Sequence, residues 1–150
     1  MFRKLLRTDN DVAQLVLRLA LGVVMFPHGA QKVLGWFGGY GLSGTWGWMT
    51  GQAHVPAVFA ALAITAEFAG SLGLITGLLG RVAALGVGIE IAVAAFVGGH
   101  VGNGFFMNWS GHQPGEGFEY HILVVAMALA VVIKGSGALS LDRLFGGRQE

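Results

Sequence analysis

The sequence has 150 residues, 54% of them hydrophobic and only 11% charged, with a mean hydropathy of +0.66. Soluble domains carry about 25% charged residues, so this chain lacks the charge to cover a water-facing surface, and its apolar content also excludes disorder. A net charge of +1 excludes a general nucleic-acid surface, and the absence of cysteine excludes disulfide relays, thiolate-held iron–sulfur clusters and c-type haem attachment.

Length argues for a single domain over 1–150. Four apolar stretches predict membrane spans at about 12–34, 55–79, 81–100 and 118–138. The first follows a basic start, Arg3, Lys4 and Arg7, and is interrupted by Arg18, His28 and Lys32. No small-residue cleavage site follows it, so it reads as a retained span. A Gly-rich aromatic loop, 35–54, comes next, and Pro56 suits the first turn of the second helix. The second span carries Glu67 and the third Glu90, with a tight turn between them at Leu79–Arg81. Gly70, Gly73, Gly77 and Gly80 suit close helix packing inside the bundle. A second aromatic loop, 98–117, leads to the fourth span, and the polar tail from Ala138 to Glu150 reads as an interfacial segment.

Arg3, Lys4, Arg7, Arg81, Lys134, Arg143 and Arg148 all fall at one face, and Lys32 alone near the other. The positive-inside rule then puts both termini in the cytoplasm. All four tryptophans fall in the two outer loops, as suits the headgroup layer. The fold expectation is therefore all-α: an integral membrane four-helix bundle, N-in and C-in, with two long outer loops.

Charges inside a bilayer are costly and call for a partner or a purpose. At about 1.5 Å per residue, Arg18 lies ~9 Å from the inner face, Glu90 ~13 Å and Glu67 ~18 Å. Arg18 can balance one carboxylate, leaving the other protonated or hydrogen-bonded. A buried clamp and a proton-handling role both fit this trio.

His28, Lys32, His100, Glu119 and His121 are expected at one outer depth, with Glu67 somewhat below. Such groups in apolar walls suit a quinone head group, whose carbonyls take hydrogen bonds and whose reduction takes up protons. The expected ligand set is His28, Lys32, Glu67, Glu119 and His121, in a pocket roofed by 35–54. Glu67 and His28 are the expected catalytic groups, and Arg18 and Glu90 balance charge. No two histidines lie mid-helix at matched depth for a b-type haem, and His100, His112, Glu116 and His121 match no standard metal spacing.

Leu17-Arg18-Leu19-Ala20-Leu21-Gly22 followed by His28-Gly29-Ala30-Gln31-Lys32 resembles the start of the DoxX family. Ala66-Glu67-Phe68-Ala69-Gly70, Gly77-Leu78-Leu79-Gly80-Arg81, Glu119-Tyr120 and the run from Gly135 to Asp142 continue the resemblance. It implies a four-helix, multi-pass protein of the prokaryotic inner membrane, in a redox and sulfur context. Family members include subunits associated with terminal quinol oxidase and thiosulfate:quinone oxidoreductase.

The leading expectation is a membrane subunit of a quinone-linked oxidoreductase, rather than a self-sufficient enzyme. Quinone is the expected cofactor, and a soluble or membrane redox protein, or a second copy, the expected partner. Two alternatives stay open: a non-enzymatic anchor or assembly factor that docks a soluble enzyme, and a small carrier.

Overall fold

The computed structural model describes residues 5–146, so Arg3, Lys4 and Arg148 of the charge argument lie outside the described residues. Among the described residues, six α-helices with both ends in view follow in order: α1 Val12–Leu34, α2 Gly41–Gly47, α3 Ala57–Thr76, α4 Gly80–Val97, α5 Glu119–Lys134 and α6 Leu141–Gly146. Among the described residues there is no strand. The long helices pack in a ring, α1 on α3, α3 on α4, α4 on α5 and α5 on α1.

Local chemistry sets the ends. Asp11 caps α1, accepting from the amides of Ala13 and Gln14. Gly35 ends α1 and Gly77 ends α3, both in the left-handed conformation that glycine adopts without strain. Pro56 sits at the N-cap of α3, one residue before the helix, where its missing amide costs nothing. Gly77 and Leu79 then turn the chain directly into α4.

The fold is apolar on the outside as well as inside. Leu21, Met25, Leu74, Val87, Val124, Ala128 and Val131 form a buried core. Val23, Phe59, Leu62, Leu85, Ile89, Val93, Leu123 and Leu129 face outward and are exposed. An apolar perimeter this continuous suits lipid rather than water. Three helices, α1, α3 and α4, are long and apolar enough to cross a membrane.

Three expectations change in detail. The fourth helix stops at Lys134 rather than near 138, because Gly135 at φ 93 breaks it. At 16 residues it falls short of the usual ~20 for a span. The tail from Ala138 is not simply interfacial: Ala138, Ser140 and Asp142 are buried against the bundle. The loop 35–54 is largely helical, with a 3-10 turn at Trp36–Gly38, α2, and a π-helical turn at Trp48–Gln52. A helical path satisfies backbone groups where water is scarce, which explains why the glycines do not leave it open.

Candidate functional site

The bundle has two polar tiers, separated by the apolar core. The first lies at the end where the termini meet the α3–α4 turn. Arg18 is fully buried there. Its guanidinium donates to the carbonyls of Leu74 and Ile75 at the end of α3, and to those of Ser136, Ala138 and Leu139. Asp142 receives the amides of Leu79 (2.6 Å) and Gly80 (2.8 Å) at the start of α4, and the Ser136 hydroxyl at 2.5 Å. Arg81 donates to Val132 and Ile133, the last carbonyls of α5 region. Cations meet helix C-termini and an anion meets a helix N-terminus, which is the sense the helix dipoles favour.

This arrangement corrects the expected role of Arg18. Its donors go to backbone carbonyls rather than to Glu67 or Glu90, and the carboxylate that acts on it is Asp142. The physical reason is that five carbonyls stripped of helical partners lie within its reach. It is a clamp, holding α1, α3 and the 136–139 segment together.

The second tier lies beyond the core, toward the aromatic loops. Lys32 Nζ meets Glu67 Oε2 at 2.5 Å, joining α1 to α3. Gly29 makes this possible: a Cβ there would sit 2.6 Å from Phe68 Cα and 2.7 Å from the Glu67 carbonyl oxygen. Glycine lets the two backbones touch, so a lysine one turn on reaches the facing carboxylate. Glu67 is 5% exposed at the side chain and Lys32 30%, so the pair opens on the lysine side. Glu90 of α4 stands next to Glu67, close enough for the two carboxyls to share a hydrogen bond when one carries a proton. Its Oε2 is buried and has no hydrogen-bond partner among the described residues.

The other expected ligands go elsewhere. His28 is exposed, whereas Glu67 is buried. Glu119 accepts the Met107 amide at 3.0 Å, and Glu116 that of Asn108 at 2.6 Å, so both acids order the 98–117 loop. His121 packs on His100, ring centroids 4.5 Å apart, and its Nδ1 is buried without a partner among the described residues. The expected ligand set is therefore divided. Lys32 and Glu67 come together beside Glu90, His121 packs on His100, Glu119 holds the second loop, and His28 is exposed.

The groove under the first loop also differs from the expected pocket. It holds about 770 Å³ and lies between α2 and α3, lined by Leu42, Trp46, Ala61, Ile64 and Thr65. Ile64 is one helical turn from Glu67, but neither Lys32 nor Glu67 lines the groove. Among the described residues no group of three or more His, Cys, Asp or Glu side chains is placed to hold a metal ion.

Sequence reasoning missed Asp142, Ser136 and Tyr120. The first two were hidden because the tail looks polar and short, although its close-set Gly, Ser and Asp residues suit a buried turn. Tyr120 packs on the core, with its hydroxyl buried and unpartnered among the described residues.

A family model described as DoxX matches residues 13–100, which takes in Arg18, Lys32, Glu67 and Glu90. Comparisons with curated proteins and with solved structures give no match.

Proposed function

Because the chain belongs to the DoxX family, we propose that it is the membrane subunit of a quinone-linked oxidoreductase, with Lys32, Glu67 and Glu90 as its ligand and proton site. The observation that carries this reading is the Lys32–Glu67 ion pair beside the buried carboxyl of Glu90. An ammonium has three donors, and Glu67 uses one of them. A donor therefore remains for a ligand carbonyl on the 30%-exposed side of Lys32.

The residues present fit a quinone head group in part. Lys32 offers the hydrogen bond, and the carboxyl pair offers a place for protons. His28 is left out of this set, because it is exposed while Glu67 is buried against Lys32. The quinone supplies the two-electron acceptor chemistry, and the electrons come from a partner redox protein. Glu67 holds the lysine in place, while Glu90 lies at the neighbouring carboxyl. One ammonium cannot neutralise two carboxylates in an apolar setting, so one proton resides on the pair. The groove between α2 and α3, lined by Leu42, Trp46, Ala61 and Ile64, suits the apolar part of the ligand.

In this reading all four long helices cross a prokaryotic inner membrane. α5 is about 24 Å long at 1.5 Å per residue, and its flanks complete the crossing. Arg7, Arg81, Lys134 and Arg143 then lie on the cytoplasmic side, and both aromatic loops on the outer side.

A docking role for the loops is a second reading, and one feature favours it. Trp109 is 88% exposed on a loop pinned by Glu116 and Glu119, so an aromatic group is held out where a partner could meet it. Mass spectrometry of the protein purified in mild detergent separates the two readings. The quinone role predicts a co-purifying isoprenoid quinone; a pure anchor predicts a soluble redox protein and no quinone.

A further inference from the structure

At the end of the bundle away from the aromatic loops, a groove of about 570 Å³ runs between the last turn of α3 and the returning tail. Thr76, Leu139, Ser140, Leu141, Arg143 and Leu144 line it. Lys32, Glu67 and Glu90 take no part in it.

The tail is shaped so that the groove has an apolar wall. Leu139 has φ 47, a left-handed backbone that leucine adopts only under constraint. The constraint is the clamp: the carbonyls of Ala138 and Leu139 both accept from the buried Arg18 guanidinium, and Asp142 anchors the chain to α4 just beyond. The Leu139 side chain is held out, 81% exposed, and Leu144 and Phe145 are exposed on the same segment. Such side chains are costly in water and favourable at the edge of an acyl layer.

The rest of the groove is polar and cationic. Thr76 is exposed and donates its hydroxyl hydrogen to the Leu72 carbonyl, so its oxygen is left as an acceptor. Asp142, next to Arg143 in sequence, is buried and engaged with the amides of Leu79 and Gly80 and with Ser136. Arg143 lines the groove, and among the described residues only its backbone amide, not its guanidinium, is hydrogen-bonded.

This set is the complement of a lipid with a net negative, hydroxyl-bearing headgroup. A guanidinium grips a phosphate through two parallel N–H donors. A glycerol hydroxyl can donate to Thr76, and an acyl chain can lie along the leucines. A choline headgroup would bring a second cation beside Arg143 and has no hydrogen to donate to Thr76. We propose that this groove binds one anionic phospholipid of the phosphatidylglycerol class, with its phosphate on Arg143 and an acyl chain against Leu139 and Leu144. The site is separate from the Lys32–Glu67 pair, so it stands or falls apart from the quinone reading.

The test reconstitutes the full chain in nanodiscs made from an equal mixture of phosphatidylglycerol and phosphatidylcholine, then releases it for native mass spectrometry. One phosphatidylglycerol per chain should be retained, enriched about fivefold or more over phosphatidylcholine, as one cation at a membrane surface would give. Arg143→Gln should abolish the enrichment. Lys134→Gln removes a cation that does not line the groove and should leave the enrichment intact. Leu139→Gly tests the apolar wall. Glycine accepts the left-handed backbone, so the tail stays packed, and lipid retention should fall while thermal stability holds. Equal retention of the two lipids, equal losses in Arg143→Gln and Lys134→Gln, or full retention in Leu139→Gly would overturn the proposal. So would displacement of the lipid by inorganic phosphate alone, which would mark a site for small anions.

Discussion

Lys32 Nζ and Glu67 Oε2 meet at 2.5 Å, one turn beyond the point where Gly29 brings α1 against the backbone of α3. The ion pair and the glycine contact form one unit. The glycine sets the helix separation, and the separation sets which side chains can meet.

Gly29→Ala should therefore destabilise the bundle by about 1–3 kcal/mol, the range for overpacking a tight contact. The neighbours are backbone atoms of Phe68 and Glu67, which cannot step aside by rotamer change. Gly47→Ala is the control, because a Cβ there meets nothing within 4 Å. Equilibrium unfolding in mixed micelles measures both. Equal stability of the two variants would contradict the contact.

Arg18 and Asp142 should couple energetically, and Arg18 and Glu67 should not. Arg18→Lys loses the fork that serves five carbonyls and should cost about 3–5 kcal/mol, as for breaking a buried charged network. In double-mutant cycles the Arg18/Glu67 pair should be additive within about 0.5 kcal/mol. The Arg18/Asp142 pair should depart from additivity by more. Strong coupling of Arg18 to Glu67 would restore the charge-balance role.

The contrast shows what was legible in the sequence. The helices were readable from hydropathy, and Glu67 and Glu90 as deep acids from their isolation in apolar runs. The partner of Arg18 was not. Its depth suggested a carboxylate, but the real acceptors are helix-end carbonyls, and backbone acceptors leave no mark in a sequence. His28 was misplaced for a related reason. It was grouped with Lys32 because the two stand one turn apart on α1, but spacing does not tell burial: Lys32 reaches the buried Glu67 while His28 is exposed. The 35–54 loop read as irregular from its glycines, and tertiary context made it helical.

Glu119→Gln should weaken the cap on the second loop. The Met107 amide would lose a charged acceptor, worth about 1 kcal/mol or about fivefold in opening. Hydrogen exchange at Met107 is the measurement. Unchanged protection would mean that the loop is held by other contacts.

Reporter fusions at Gly44 and after the C-terminal residue should report opposite sides of the membrane. Among the described residues, Arg7, Arg81, Lys134 and Arg143 favour a cytoplasmic C-terminus. The fusions also decide whether the 16-residue α5 crosses. Reports from the same side would refute the four-span arrangement.

The central claim is that Lys32 and Glu67 bind the head group and that His28 does not. Its most direct measurement is quinone affinity in nanodiscs. Lys32→Met is combined with Glu67→Gln, so that Glu67 is not left as a buried carboxylate without its ammonium. The double variant should bind about tenfold more weakly, a loss of roughly 1.4 kcal/mol, while His28→Ala binds as the unmodified chain does. Unchanged affinity in the double variant, or a loss confined to His28→Ala, would contradict the account.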